Sequence, residues 1–174
     1  MPDAENELIK VRVEKLERLK ARGIDPYPHS CDRTHTSVEA EAFFRQEESR
    51  QGQGIHTDGV VIAGRIVAFR DMGKATFADL LDGHGRIQVL FRRNVLSEAY
   101  NILEDLDLGD WIEVSGSLFR TRTGAITLES QELTVLCKSL RPLPEKWHGL
   151  TDVELRFRQR YLDLIANDEA RRVA

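Results

Sequence analysis

Apolar positions recur along this chain with two different periods, and the change of period divides it. Over residues 5–22, Ile9, Val13 and Leu16 share one stripe at i, i+4, i+7, while Lys15, Arg18 and Arg22 lie on another face. That spacing predicts an amphipathic helix, stopped at Gly23. The two prolines of IDPYPHS predict an extended connector. Residues 37–48, SVEAEAFFRQEE, predict a second helix with Ser37 as its N-cap and Glu39 and Glu41 near the positive end of its dipole. The polar, glycine-containing SRQGQGIHTDG follows as a loop.

Beyond it the period becomes two. GVVIAGRIVAFRDMG is rich in β-branched residues, and KATFADLLDG is a short strand ending in a turn. GRIQVLFRR alternates, with Ile87, Val89 and Phe91 on one face and Arg86, Gln88, Leu90 and Arg92 on the other. Asp82–Gly85 between them predicts a tight hairpin. VLSEAYNILEDL, residues 95–106, predicts a helix, and two more strands follow, joined at Thr123-Gly124. Three strands, a helix, then two strands is the order of an OB-fold, a five-stranded Greek-key barrel; a small sandwich or a swapped-hairpin barrel would share the pattern. The expected organisation is an N-terminal helical extension (1–52), the barrel (53–138), a proline-containing linker (139–150) and a charged helical segment (151–174). In that last segment Leu155, Tyr161 or Leu162, and Ile165 supply a thin apolar stripe. It runs to Ala174 without a capping signal, so a truncated or incomplete sequence is expected.

A net charge of -4 argues against a non-specific nucleic-acid coater but leaves room for local basic patches. Two such patches exist, in residues 7–22 and 60–93. No apolar run approaches the roughly 20 residues of a bilayer span, and MPDAENELIK is not a signal pattern, so a cytoplasmic protein is expected. Cys31 and Cys137 show no metal or redox spacing and are expected to be free thiols. Neither a P-loop, a GxGxxG nor a nucleophile elbow occurs, and the five histidines are isolated, so no active site is expected in this segment.

A binding surface is better supported. OB barrels take single-stranded nucleic acid on the face of strands two and three, using basic and aromatic side chains. Strand two offers Phe77, bordered by Lys74, and strand three offers Gln88, opposite in face to Ile87 and Val89. A phenylalanine in a strand is more often core than contact surface. If exposed, it could stack on any base, while a glutamine amide, donor and acceptor together, suits the edge of uracil.

AGRIVAFRDMGKATFADLLDGHGRIQV resembles the anticodon-binding barrel shared by lysyl-, aspartyl- and asparaginyl-tRNA synthetases, which are class II enzymes. MGKATF, FRTRTGAITL and SLRPLPEKWHGLTDVELRFRQRYLDLI are similar to the lysyl branch in particular. The resemblance covers essentially the whole chain. It implies that Phe77 stacks on the central anticodon base, that Gln88 reads the same uridine, and that Arg70 takes part from the end of strand one. It further implies that Glu132, in SQEL, completes the uridine pocket, with Glu129 nearby. Lys15, Arg18 and Arg22 on the first helix, and Lys74, are candidates for the tRNA backbone, and a merely solvated basic face is equally open for the helix. The whole enzyme would be a homodimer that joins lysine to its tRNA using ATP and Mg2+. Its nucleotide and metal sites would lie beyond residue 174, leaving this segment non-catalytic and without cofactor or metal of its own. A free-standing tRNA- or single-strand-binding module, and aspartyl-type specificity, are the alternatives.

Overall fold

The computed structural model describes residues 2–142, 153–167 and 170, with the side chains of residues 2–5, 155 and 166 also outside the description. The KWHGL stretch, the side chain of Leu155 and the predicted helix after residue 170 therefore fall outside the described residues. The chain divides into two compact units after Leu140.

The first unit contains α1 (Pro2–Ala21), α2 (Ser37–Gln51), β1 (Thr57–Asp71), β2 (Ala75–Leu81), β3 (Arg86–Arg92) and α3 (Arg93–Leu96). A 3-10 helix (Ser97–Asp105), β4 (Trp111–Arg120) and β5 (Ile126–Cys137) complete it. The strands close into a barrel in the order β1-β2-β3-β5-β4, with β3 and β5 parallel and the other pairs antiparallel. This is the expected five-stranded OB barrel. β1 serves two neighbours: its first half pairs with β4, its second with β2, and a register shift between Ile66 and Ala68 bends it between the two.

The period of two has a physical reading here: alternate residues fill the barrel. Ile87, Val89 and Phe91 of β3 are buried, as are Ala78 and Leu80 of β2. Leu90, on the outer side of β3, departs from the pattern and is only 2% exposed. It lies between Phe77 and Glu129 in the strand register.

Three local expectations are corrected. The face of α1 turned to the protein carries Arg12, Leu16 and Leu19, while Val13 is exposed. The reason is a polar anchor that periodicity cannot see: Arg12 donates to the carbonyls of Ser139 and Leu108, both at 3.1 Å. The N-cap of α2 is Thr36, not Ser37: Thr36 and Glu39 form a capping box, each side chain accepting from the other's backbone N–H. Ser37 instead donates its N–H and hydroxyl to Asp82, at 2.6 and 2.8 Å. Residues 95–106 are not one α-helix. Ser97, at φ +52°, breaks the chain after the single turn of α3, and the 3-10 helix follows.

Asp82 ties the β2–β3 hairpin to α2, accepting also from the backbone of His84 and Gly85. Burial pushes its carboxyl up, but the hydrogen bonds from Ser37, His84 and Gly85 outweigh that and hold it below the usual carboxylate value. A second polar knot ties α1 to the end of β5. The fully buried Lys138 ammonium bonds Asp107 at 2.7 Å and Asp110 at 2.8 Å, and Lys15 reaches Asp107 at 2.6 Å. Cys31 and Cys137 are free thiols.

In the second unit, α4 (Val153–Arg158) and α5 (Arg160–Ala166) meet around Asp163. Its carboxylate has no exposed surface and accepts from Arg156, Arg160 and Asn167. Among the described residues no helix is long and apolar enough to cross a membrane.

Candidate nucleic-acid interface

The end of β1, all of β2 and β3, and the start of β5 present one continuous outer face. Directly opposed residues on paired strands point to the same side, with Cβ atoms about 5 Å apart. One row across this face runs Arg70, Phe77, Leu90, Glu129, and the next runs Ala68, Asp79, Gln88, Thr127. Arg70, Phe77 and Gln88, singled out from sequence on three different strands, therefore share one patch. Phe77 alternates with buried Thr76 and Ala78, so its ring stands outside the barrel, partly exposed.

The charges of the patch are fixed by ion pairs. Asp79 receives both guanidinium nitrogens of Arg70, at 2.8 and 3.3 Å, and Arg86 approaches it at 3.9 Å. Arg92 pairs with Glu129 at 2.5 Å. Lys74 stands exposed in the β1–β2 turn beside these strands. The patch is thus basic, with an aromatic ring and one amide set among arginines. Gln88 is held from beneath: the buried Thr127 hydroxyl donates to its Oε1 at 2.8 Å.

Glu132 and the α1 cations lie outside these two rows. Glu132 lies opposite Ser115 on β4, whose hydroxyl donates to it at 3.3 Å. It lines a groove of about 250 Å³ with Asp32, Val61, Glu113, Ser115 and Thr134. A register shift between Ser115 and Gly116, which pair with Glu132 and Ser130 and leave Gln131 as the extra residue, keeps Glu132 on the same outer side of β5 as Glu129, the partner of Ser117, further along the strand. Glu129, on the near side of that bulge, is the β5 carboxylate in the Phe77 row. On α1, Lys15 pairs with Asp107, and Arg18 and Arg22 reach Asp105 at 2.6 and 3.4 Å. These three cations dock α1 against the 3-10 helix and the loop after it.

Sequence reasoning named Glu129 only as a neighbour of Glu132 and gave no role to Asp79, Arg86, Arg92 or Thr127. The available signal was strand parity: Asp79 follows Phe77 by two, Arg86 and Arg92 flank Gln88 by two and four, and Thr127 precedes Glu129 by two. Among the described residues no group of three or more His, Cys, Asp or Glu side chains is placed to hold a metal ion.

Comparison with known proteins agrees with this geometry. Residues 60–143 match the OB-fold nucleic acid binding domain of the tRNA anticodon family. The chain is 54% identical over 162 residues to a lysine–tRNA ligase of Dehalococcoides mccartyi, covering 92% of the chain and 32% of that protein. It is 48% identical over 172 residues to that of Moorella thermoacetica, covering 98% of the chain and 34% of the relative. For Xanthomonas campestris pv. campestris the figures are 45% over 175 residues, 99% and 34%. The chain therefore spans about a third of the length of the curated relatives it matches. With a closed barrel in OB strand order, the chain carries an OB-fold nucleic acid binding domain of the tRNA anticodon family and is similar along nearly its whole length to lysine–tRNA ligases.

Proposed function

We propose that this barrel recognises the anticodon of a lysine tRNA, as the tRNA-reading part of a lysine–tRNA ligase. The observation that carries the reading is the convergence of Arg70, Phe77 and Gln88 on one outer, basic face. Phe77 stacks on the central base, an interaction of about 1–3 kcal/mol with little sequence preference. Gln88 supplies the discrimination by hydrogen bonding to the uracil edge, since a wrong base leaves a polar group unpaired. Arg70, already aligned by Asp79, and Lys74 at the rim meet phosphate or carbonyl oxygens. Glu132, further along the same outer side of β5, completes the uridine pocket, and Lys15, Arg18 and Arg22, besides docking α1, reach toward the tRNA backbone.

The chemistry belongs to the whole enzyme: ATP-dependent attachment of lysine to tRNA in the cytoplasm, by a homodimer with its ATP and Mg2+ sites in the remaining two thirds. This segment contributes recognition without catalysis.

The test is a binding titration of this chain with lysine tRNA and with the same tRNA altered at the central anticodon uridine, for wild type and Phe77→Ala. Either change is expected to weaken binding by about fivefold to a hundredfold, the worth of one stacked base. Equal binding of both RNAs by a folded Phe77→Ala variant would overturn the reading in favour of a free-standing, sequence-neutral single-strand binder.

A further inference from the structure

The contact beneath Gln88 carries a consequence for base choice. Gln88 faces outward from β3 with an amide that could present either of two opposite groups, its NH2 or its carbonyl oxygen. Thr127 of β5, opposite it in register, has no exposed surface and donates its hydroxyl to Gln88 Oε1 at 2.8 Å. Among the described residues that buried hydroxyl makes this side-chain hydrogen bond and no other, and Gln88 Nε2 makes none. Turning the amide over would place an N–H against the Thr127 oxygen and leave the Thr127 hydroxyl hydrogen buried and unsatisfied. An unsatisfied buried donor is costly, so the amide is held with Oε1 inward and NH2 outward. The outward NH2 is a donor. Uracil answers it with a carbonyl acceptor at the position where cytosine carries an exocyclic amine, also a donor.

We propose that Thr127 is a specificity-determining positioning residue: by fixing the Gln88 amide, it makes the site favour uridine over cytidine. The proposal rests on the anticodon-reading function above. Without the Thr127 hydroxyl, the amide can turn and accept from the cytosine amine.

The experiment measures Kd of this chain for lysine tRNA and for the same tRNA with cytidine at the central anticodon position. It compares wild type, Thr127→Val and Thr127→Ser, with thermal unfolding to confirm the fold of each. Valine keeps the shape and β-branching of threonine without the hydroxyl. Serine keeps the donor. Thr127→Val is expected to reduce the uridine-to-cytidine preference about fivefold, the worth of one neutral hydrogen bond, mainly by binding the cytidine RNA better. Thr127→Ser is expected to retain the wild-type preference. Equal weakening of both RNAs by Thr127→Val, with the ratio unchanged, would show that Thr127 merely supports the sheet and would overturn the proposal. A wild-type chain indifferent to the base would overturn the anticodon reading itself, and the proposal with it.

Discussion

Removing the Lys138 ammonium tests what holds α1 and the end of β5 together. Lys138 has no exposed side-chain surface, and neither has Asp110, which it meets at 2.8 Å; Asp107 is 20% exposed. Asp110 also accepts from the backbone N–H of Asp107 and of Ser139, so its carboxylate cannot swing out to water without breaking both. Lys138→Met keeps the length and apolar stem but leaves the buried Asp110 charge unpaired, a change that typically costs about 3–5 kcal/mol. At roughly 2–4 °C per kcal/mol, the melting temperature should fall by about 10 °C. Acid gives the loss a signature. Burial pushes the Asp107 carboxyl up, but Lys138 and Lys15 outweigh it and hold it below the usual value. A carboxylate so depressed stabilises the fold above its unfolded pKa of about 3.9, and that stability is lost as pH falls through the folded value. Lys138→Met forfeits part of this contribution at neutral pH, so the gap between the two proteins should narrow below about pH 4. Urea unfolding at pH 7 and at about pH 3 measures it. Adding Asp110→Asn to the variant should restore part of the loss, because the unpaired charge goes while an acceptor stays. A loss under about 1 kcal/mol at pH 7, or a gap that does not change with pH, would refute the reasoning.

Asp82→Ala should cost about 2–3 kcal/mol in urea unfolding, because the N–H and hydroxyl of buried Ser37 lose their acceptor. Since the folded carboxyl lies below its usual value, that stabilisation is present above the unfolded pKa and should vanish in acid as Asp82 protonates, bringing wild type down to the variant. Gly116→Ala would put a Cβ 1.9 Å from the Glu129 carbonyl oxygen; β4 and β5 must part to admit it, at about 3 kcal/mol or more by the same assay. Phe91→Ala, inside the barrel, should cost about 3–5 kcal/mol, and Phe77→Ala, outside it, clearly less. Equal losses would return Phe77 to the core.

What the sequence made legible, and what it did not, divides along one physical line. A barrel buries one side of every strand, so alternation reports it: Ile87, Val89 and Phe91 were placed inside and Gln88 outside from spacing alone, and both held. Parity fails where the chain adds a residue. The bulge at Gln131 returns Glu132, which strict alternation would turn inward, to the outer side with Glu129, and no pattern of apolar positions marks it, because the demand for it comes from β4, where Gly116 lets the Glu129 carbonyl approach. Charge is the other blind spot. A basic stripe on a helix has the same composition whether it faces solvent, RNA or a carboxylate, and the partners of Lys15, Arg18 and Arg22 lie some ninety residues away, in Asp105 and Asp107. Those pairings also explain how a chain of net charge -4 can offer a basic surface. The α1 cations are matched within the fold, while around Phe77 the four cations Arg70, Lys74, Arg86 and Arg92 are set against two carboxylates, Asp79 and Glu129. The surplus positive charge therefore sits where the aromatic ring and the oriented amide are, and a polyanion attracted to it arrives at the groups that can tell one base from another.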